Sequence, residues 1–153
     1  MATSGLMVIA KTEFAYHRLQ EQFANHQISK KYVAIVCGKD FPRQGTITLP
    51  LMPDYLDRPR QIVSHAHGKE AITLYEVTEE YEGHRRLALY PKTGRTHQLR
   101  VHCAHQEGLN APIWGDPLYG NERAGRLYLH AESIRFKHPL TGAEIYIERK
   151  ADF

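Results

Sequence analysis

The residues best suited to chemistry lie in one stretch, positions 90–102, with the sequence YPKTGRTHQLRVH. It places a lysine, a glycine, two arginines and two histidines across a predicted junction between a loop and a helix. Free backbone N–H groups and the helix dipole favour an anion at such a junction, which suits a phosphate or a carboxylate. The same residues also fit the solvated start of a basic helix, and spacing alone leaves both interpretations open.

Three histidines on the predicted helix raise a second possibility, a metal-dependent hydrolase. They are His97, His102 and His105, but only the pair three residues apart shares a face of the helix. No carboxylate completes a His-Glu-x-x-His pattern. We therefore expect no metal site, and we expect His65 and His67 to face solvent from a loop.

Composition indicates one globular domain. The chain has 153 residues, 42% hydrophobic and 24% charged, and no run approaches the roughly 20 apolar residues of a membrane span. The first residues show no basic stretch followed by an apolar one, so we expect a cytoplasmic protein. Cys37 and Cys103 form no Cys-x-x-Cys pair and are expected to be small buried hydrophobes. The formal net charge of +3 is weak evidence for a nucleic-acid partner.

The hydrophobic pattern predicts two helices and a first buried strand. Residues 5–11 form an apolar run typical of a strand. Residues 12–26 have apolar positions four apart, which indicates an amphipathic helix. Thr96 is expected to cap a second helix that runs to about Glu107, with Gly108 as its stop.

Strands predominate in the rest of the chain. β-branched and aromatic residues predict strands at 30–38, 71–78, 86–90, 127–131, 133–137 and 144–148. The remainder of 39–68 is expected to be loop, with a short strand near 46–49. Because strands and helices do not alternate regularly, we expect an α+β fold: a mostly antiparallel mixed sheet with a few flanking helices and long loops.

Several short motifs are spread along the chain. They are Thr3-Ser4-Gly5-Leu6, Lys31-Tyr32-x-Ala34-x-Val36-x-Gly38, Asp57-Arg58-Pro59-Arg60-Gln61, Gly68-Lys69-x-Ala71-x-Thr73-x-Tyr75, GRTHQLRVH at 94–102, Pro112-Ile113-x-Gly115-Asp116-x-x-Tyr119-Gly120 and Leu129-His130-Ala131. In this order and at these intervals they resemble the RluA family of RNA pseudouridine synthases. The resemblance covers nearly the whole chain, so we expect residues 1–153 to form part of a pseudouridine synthase catalytic domain.

The resemblance implies an isomerase that converts a uridine in structured RNA, ribosomal or transfer RNA, to pseudouridine. No metal and no organic cofactor is implied. In this chemistry an aspartate acts as the nucleophile, the glycosidic bond breaks, the uracil turns, and its C5 rejoins the ribose. The target base must first leave its stack and enter a pocket.

The resemblance also assigns roles to individual residues. Tyr32 matches a tyrosine that lies against the flipped base and is a candidate to take the proton from C5. Arg95 matches the arginine that pairs with the nucleophilic aspartate, and Leu129 matches an apolar residue that packs on the uracil. Taken alone, the three also fit a strand tyrosine, a surface arginine and a core leucine.

Further residues of these motifs are expected to bind the RNA substrate, because basic groups meet phosphates and aromatic rings stack on bases. They are Lys92, Thr96, His97, Gln98, Arg100, Arg58 and Arg60. Basic residues also interleave with aromatic ones at 30–32, 55–60, 85–90 and 123–128, which indicates an RNA-facing groove.

The family's nucleophilic aspartate has no counterpart in the sequence. It stands three residues before Thr-Ser-Gly in the family, and counting back from Thr3 passes Ala2 and Met1. Asp54, Asp57 and Asp116 do not stand in a matching context. We therefore expect a truncated chain, inactive alone, with the aspartate expected just before Met1.

Two further expectations follow from the missing aspartate. A truncated sheet would expose an edge and apolar surface, which favours self-association. The alternative function is a non-catalytic RNA-binding module, since the basic residues and the motifs do not depend on the nucleophile.

Overall fold

The computed structural model describes residues 3–153. It contains a central mixed sheet, a small second sheet and two helices. In chain order the elements are β1 (Ser4–Gly5), α1 (Glu13–Ala24), β2 (Ser29–Cys37), β3 (Gln44–Thr48), β4 (Leu51–Pro53), β5 (Gln61–Val63), β6 (Ile72–Tyr81), β7 (His84–Pro91), α2 (Gln98–Ala104), β8 (Leu129–Lys137) and β9 (Glu144–Glu148). Neither of these helices is long and apolar enough to span a membrane.

The large sheet has the strand order β1-β8-β2-β7-β6-β3, and β9 also pairs with β8. All its pairs are antiparallel except β1 with β8, where Ser4 lies opposite His130 and Gly5 opposite Ala131. The second sheet is the β4-β5 pair. The sheet order brings the first described strand next to the eighth, so residues far apart in sequence meet at this end of the sheet.

The main core lies between the central strands and the segment that contains α2. Leu87 and Leu89 of β7 are fully buried and pack with Leu99 and Cys103 of α2. A smaller core forms under α1, where Leu19 contacts Phe136. Burial of these apolar side chains fixes both helices on the sheet.

The expected α+β fold is confirmed, and so are most of the predicted strands. The predicted antiparallel pair at 71–78 and 86–90 corresponds to β6 and β7. The predicted strands at 30–38 and 144–148 correspond to β2 and β9. The first helix was also predicted well: it spans Glu13–Ala24, and the Thr12 hydroxyl caps it by accepting from the Ala15 N–H at 3.1 Å.

Four expectations about local structure were wrong. Of the predicted strand at 5–11 only Gly5 belongs to a strand, β1, because from Ser133 onward β8 pairs with β9 on that side. The two predicted strands at 127–131 and 133–137 form one strand, β8. The predicted loop at 39–68 contains the β4-β5 pair. Cys37 is half-buried, whereas Cys103 is fully buried as expected.

The second helix begins later and ends earlier than predicted. It spans Gln98–Ala104, so Thr96 is not its cap. The residue at the cap position is His97, which has a left-handed backbone with φ of 54° and makes no capping hydrogen bond through its side chain. The pattern around Thr96 resembled a capping signal, but the hydrogen bonds of Gln98 described below determine the start of the helix.

Gly5 permits the close approach of β1 to β8. Its φ is +99°, and a Cβ atom at this position would collide with the Ala131 carbonyl oxygen. We expect Gly5→Ala to separate β1 from β8, because both the backbone conformation and the space exclude a side chain. The amide of Leu6, which donates to the Ala131 carbonyl at 3.0 Å, should then exchange with solvent at least about tenfold faster.

Gly83→Ala is the matched control for this experiment. Gly83 has a similar φ of +79°, but nothing lies within 4 Å of the position that its Cβ would take. It should cost about 1–2 kcal/mol of backbone strain and leave the Leu6 amide protected. Unchanged exchange of Leu6 in Gly5→Ala would show that the close approach is not required.

Candidate active site

A cleft of about 870 Å³ opens where β1, β2 and β8 meet the loop that precedes α2. Its lining combines apolar residues with cations and aromatic rings. Among the lining residues are Thr3, Ser4, Gly5, Lys30, Tyr32, Arg95, His97, Gln98, Arg100 and Leu129. The cleft therefore gathers residues of four motifs that are separated by tens of residues in the sequence.

The Thr3-Ser4-Gly5 segment is fastened to one wall of the cleft by hydrogen bonds. The His130 Nε2 donates to the Arg149 carbonyl at 2.7 Å, so its Nδ1 is free to accept from the Ser4 hydroxyl at 2.9 Å. The Arg126 guanidinium donates to the Ser4 Oγ at 2.9 Å. Thr3, at the start of the described chain, consequently lies on the cleft wall.

Tyr32 and Leu129 lie on neighbouring strands in this cleft. Tyr32 pairs with Ala131 of β8 on one side and with Leu89 of β7 on the other. Tyr32 is half-buried, and burial raises the pKa of its phenol above the ordinary value. Leu129 is 4% exposed, so it belongs to the core as well as to the cleft.

Arg95 lies on the opposite wall, in the loop before α2. Its Nε donates to the Glu70 carbonyl at 2.8 Å, and its backbone N–H donates to the Gln98 Oε1 at 3.0 Å. The residue is otherwise exposed. Two hydrogen bonds thus hold the backbone and the Nε of Arg95. The other N–H groups of its guanidinium are available to an anion in the cleft.

Gln98 is the centre of a buried polar network under this loop. The side chain is 3% exposed, and its Oε1 accepts from the Thr93 hydroxyl at 2.7 Å as well as from the Arg95 N–H. Its Nε2 donates to the Ile72 carbonyl and to the Thr73 hydroxyl, both at 3.0 Å. We predicted that Gln98 binds RNA; in the structure its amide is engaged within the chain, and its Oε1 holds the Arg95 N–H.

The network continues from Thr73 to His102. The Thr73 hydroxyl accepts from Gln98 and so donates to the His102 Nδ1 at 2.9 Å, while the His102 Nε2 donates to the Leu49 carbonyl at 3.0 Å. Burial lowers the pKa of His102, which is consistent with a neutral imidazole in this role. Both ring nitrogens of His102 are occupied by these hydrogen bonds, and among the described residues His97, His102 and His105 do not come together as a group of metal ligands.

Arg100 and His97 contact the loop that contains Asp116 and Tyr119, which borders the cleft. The Arg100 guanidinium forms a two-point pair with the Asp116 carboxylate, at 2.9 and 2.6 Å. Burial opposes ionisation of Asp116, but the hydrogen bonds from Arg100, Leu118 and Tyr119 hold the pKa of its carboxyl below the usual range. We predicted that Arg100 binds RNA, and it lines the cleft, but its charge is already paired.

His97 contacts the same loop through Tyr119. The Tyr119 hydroxyl accepts from the Gln61 N–H at 2.8 Å and donates to the His97 Nδ1 at 2.7 Å. Burial, and after it the charge of Arg100, lower the pKa of His97. A neutral His97 lines the cleft with its Nε2–H as a free donor.

The other predicted RNA-binding residues do not line the cleft. Lys92, Thr96 and Arg58 are exposed around it, and Arg58 lies over the Tyr55 ring at 5.3 Å. Arg60 is engaged with the Leu118 carbonyl and with Asp57, at 3.0 Å for the latter. Their place in a long RNA contact stays a prediction.

Lys30 lines the cleft although it was not among the predicted site residues. Its ammonium lies 5.6 Å from the centre of the Phe23 ring, and burial lowers its pKa. The signal in the sequence was its position two residues before Tyr32, since side chains two apart in a strand lie on one face. The neighbouring Lys31 instead pairs with the buried Glu132 at 2.8 Å.

Known proteins of similar sequence and fold identify the family of this chain. The sequence model of a family described as RNA pseudouridylate synthase matches residues 1–105. The chain is also 42% identical over 158 aligned positions to the dual-specificity RNA pseudouridine synthase RluA of Escherichia coli K12, covering 100% of this chain and 71% of that protein. The chain belongs to the RNA pseudouridylate synthase family. This confirms the resemblance that the motifs suggested.

Other relatives and solved structures agree with this family. The protein of the same name from Yersinia pestis is 39% identical over 100% of this chain and 75% of its own length. The structure of human RNA pseudouridylate synthase domain containing 1 superposes with a TM-score of 0.77 at 28% identity and covers 94% of this chain. The human domain containing 4 gives 0.76 at 26% identity and also covers 94% of this chain. The chain spans 63% and 66% of the lengths of these two human proteins.

We expect Gln98→Leu to destabilise the protein by about 2–4 kcal/mol, because it leaves the Thr93 hydroxyl hydrogen and the Arg95 N–H without an acceptor. Urea denaturation measures this loss. Gln20→Leu is the control, since Gln20 is exposed on α1 and bonds the Tyr16 hydroxyl at 2.7 Å. A similar small effect in both variants would contradict a central role for the network.

Proposed function

We propose that this chain is the catalytic scaffold of an RNA pseudouridine synthase and that the cleft between β1, β2, β8 and the Arg95 loop binds the flipped uridine. The observation that carries the proposal is the meeting of Thr3-Ser4-Gly5, Tyr32, Arg95 and Leu129 in one cleft. These residues come from four separate motifs of the family. A volume of about 870 Å³ leaves room for a nucleotide and the adjoining backbone.

The roles of the cleft residues follow from their surroundings. Tyr32 offers a half-buried aromatic face to a flat base, and its phenol can accept or return a proton through its oxygen. Burial raises the pKa of this phenol and favours its neutral form, so Tyr32 can take the C5 proton only as its own proton passes to another acceptor in the cleft. Leu129 supplies an apolar contact for the uracil, which excludes water from the reacting atoms.

Arg95 is proposed to hold the nucleophilic aspartate of the family as an ion pair. That aspartate precedes Thr-Ser-Gly by three residues, and the Thr3-Ser4-Gly5 segment lies across the cleft from Arg95. A guanidinium keeps a carboxylate ionised and oriented through two hydrogen bonds. The carboxylate attacks C1′ of the ribose and the C1′–N1 bond breaks with its electron pair on the uracil. The uracil then turns, C5 displaces the carboxylate from C1′, C5 loses its proton and N1 gains one.

The substrate is proposed to be a structured RNA, ribosomal or transfer RNA. The related bacterial proteins carry the words dual-specificity in their names, which supports more than one RNA target. Lys30, Lys92 and Arg58 lie in or around the cleft, where they can meet the phosphates that flank the flipped base. The chain's membership of an enzyme family favours this function over a non-catalytic RNA-binding module.

The assay uses a version of the chain with Arg-Leu-Asp placed before Met1. In this version Tyr32→Phe should lower the rate of pseudouridine formation by at least about 100-fold with little change in RNA affinity, because it removes only the proton-transfer group. Arg95→Lys should also lower the rate, since lysine keeps the charge but cannot form the two-point contact. Conversion is measured in a transcribed RNA by mass spectrometry.

Tyr81→Phe and Arg43→Lys are the matched controls for these variants. Tyr81 and Arg43 lie outside the cleft and contact the glutamates Glu79 and Glu80. Both controls should retain the full rate. A Tyr32→Phe protein that is as active as Tyr81→Phe would contradict the assigned role of Tyr32.

We also propose that the chain self-associates with a second copy through the apolar segment before and within α1. Met7, Ile9 and Phe14 are 82%, 75% and 53% exposed. Light scattering should show a dimer that Met7→Gln weakens and that Leu140→Gln, on an equally exposed turn residue, does not. A monomer across a wide concentration range would contradict this proposal.

A further inference from the structure

A second group of reactive side chains lies at the far end of the sheet from the cleft. Cys37 is the last residue of β2 and pairs with His84, the first residue of β7. Tyr32 is five residues earlier on β2, so the two places are separated by roughly 16 Å of strand. Neither Cys37 nor His84 lines the cleft, and the proposed reaction uses neither of them.

Three potential metal ligands converge at this end. One ligand atom each from Cys37, His84 and Glu122 lies within 4.8 Å of the other two. The His84 Nε2 and the Glu122 Oε2 are 3.3 Å apart. Two donor atoms bound to one tetrahedral zinc ion at about 2.1 Å lie about 3.4 Å from each other, so this pair already has the required spacing.

The contacts of His84 orient its ring for a cation. Both ring nitrogens face acceptors at 3.3 Å, Nδ1 the Glu82 carbonyl and Nε2 the Glu122 carboxylate, so the single hydrogen of the neutral ring satisfies only one of them. With the hydrogen on Nδ1, the Nε2 lone pair and the Glu122 carboxylate are two acceptors that face each other. A proton or a metal ion between them removes this conflict. Metal-binding histidines commonly have their other nitrogen bonded to a carbonyl in this way.

Cys37 and Trp114 complete the surroundings. The Trp114 ring lies 4.8 Å from the His84 ring, which restricts the orientation of the imidazole. Burial, and after it the charge of Glu122, raise the pKa of the Cys37 thiol to about 12. A bound metal ion reverses this effect, because it stabilises the thiolate and displaces the proton.

We propose that Cys37, His84 and Glu122 form a binding site for one Zn²⁺ ion, with water in the fourth position. A thiolate, an imidazole and a carboxylate are ligands that zinc accepts together in tetrahedral geometry. The side chain of Glu122 is 54% exposed, which leaves the fourth position open to solvent.

The ion would fasten a loop that also supports the cleft. Glu122 belongs to the segment 115–127, whose Asp116 pairs with Arg100 and whose Tyr119 bonds His97. Binding at Glu122 would therefore join this segment to the ends of β2 and β7. The ion orders the loop from the side opposite to the cleft and takes no part in the reaction.

Cobalt substitution tests the site directly. The reduced chain, purified without a histidine tag, is titrated with Co²⁺, and the thiolate-to-cobalt charge-transfer absorption is recorded. We expect saturation at about one ion per chain and loss of the band on addition of Zn²⁺. Cys37→Ala should abolish the band, and His84→Ala and Glu122→Gln should each weaken binding at least about tenfold.

His65→Ala is the matched control for His84→Ala. The His65 Nε2 lies 3.3 Å from the Glu107 Oε1, the same spacing as the proposed ligands, but no cysteine joins this pair among the described residues. This variant should bind Co²⁺ like the unaltered chain. Absence of the band, its persistence in Cys37→Ala, or an equal loss in His65→Ala would overturn the proposed site.

Limited proteolysis tests whether the ion fastens the loop. Arg123 is exposed next to Glu122, so trypsin can cleave there. Zn²⁺ should slow this cleavage several-fold in the unaltered chain and not in Glu122→Gln, because only a bound ion restrains the segment. Equal slowing in both proteins would show that zinc acts on the protease or elsewhere on the chain.

Discussion

The arrangement of the cleft depends on the buried side chain of Gln98. Its amide forms four hydrogen bonds, to Thr93, Arg95, Ile72 and Thr73, and so ties the loop before α2 to strand β6. Each partner is also satisfied, which avoids the cost of an unpaired polar group in the core. The position of Arg95 relative to the sheet is therefore set by a side chain that does not itself touch the reacting atoms.

The wall of the cleft that contains Thr3-Ser4-Gly5 is held in place by the close parallel contact of β1 with β8. Gly5 allows the backbones to approach, and the Ser4 hydroxyl is held by His130 and Arg126. Tyr32 and Leu129 lie on the strands between these two walls. A reaction in which a base is detached, turned and joined again requires such rigid walls, because the loose uracil must stay in reach of the ribose.

The strands and the fold class could be predicted from the sequence, because β2 is a run of β-branched and other apolar residues and β6 alternates between buried and less buried positions. The start of α2 could not, since it depends on hydrogen bonds from Gln98 to residues 25 positions earlier. The motifs located Tyr32, Arg95 and Leu129, but not the distinction between residues that face the cleft freely and those, such as Arg100, whose charge is already paired. The ion pair of Arg100 with Asp116 forms only in the folded chain, so it cannot be recognised from the residue types in the sequence.

The most direct test of the central claim is whether this scaffold performs the family's reaction when the family's nucleophile is present. Two versions of the chain are compared, one with Arg-Leu-Asp before Met1 and one with Arg-Leu-Asn, and pseudouridine is measured in ribosomal and transfer RNA that lack the modification. We expect pseudouridine with the aspartate and none with the asparagine, since the amide is not a nucleophile of comparable strength. No conversion by the aspartate version, or equal conversion by both, would contradict the assignment of this cleft.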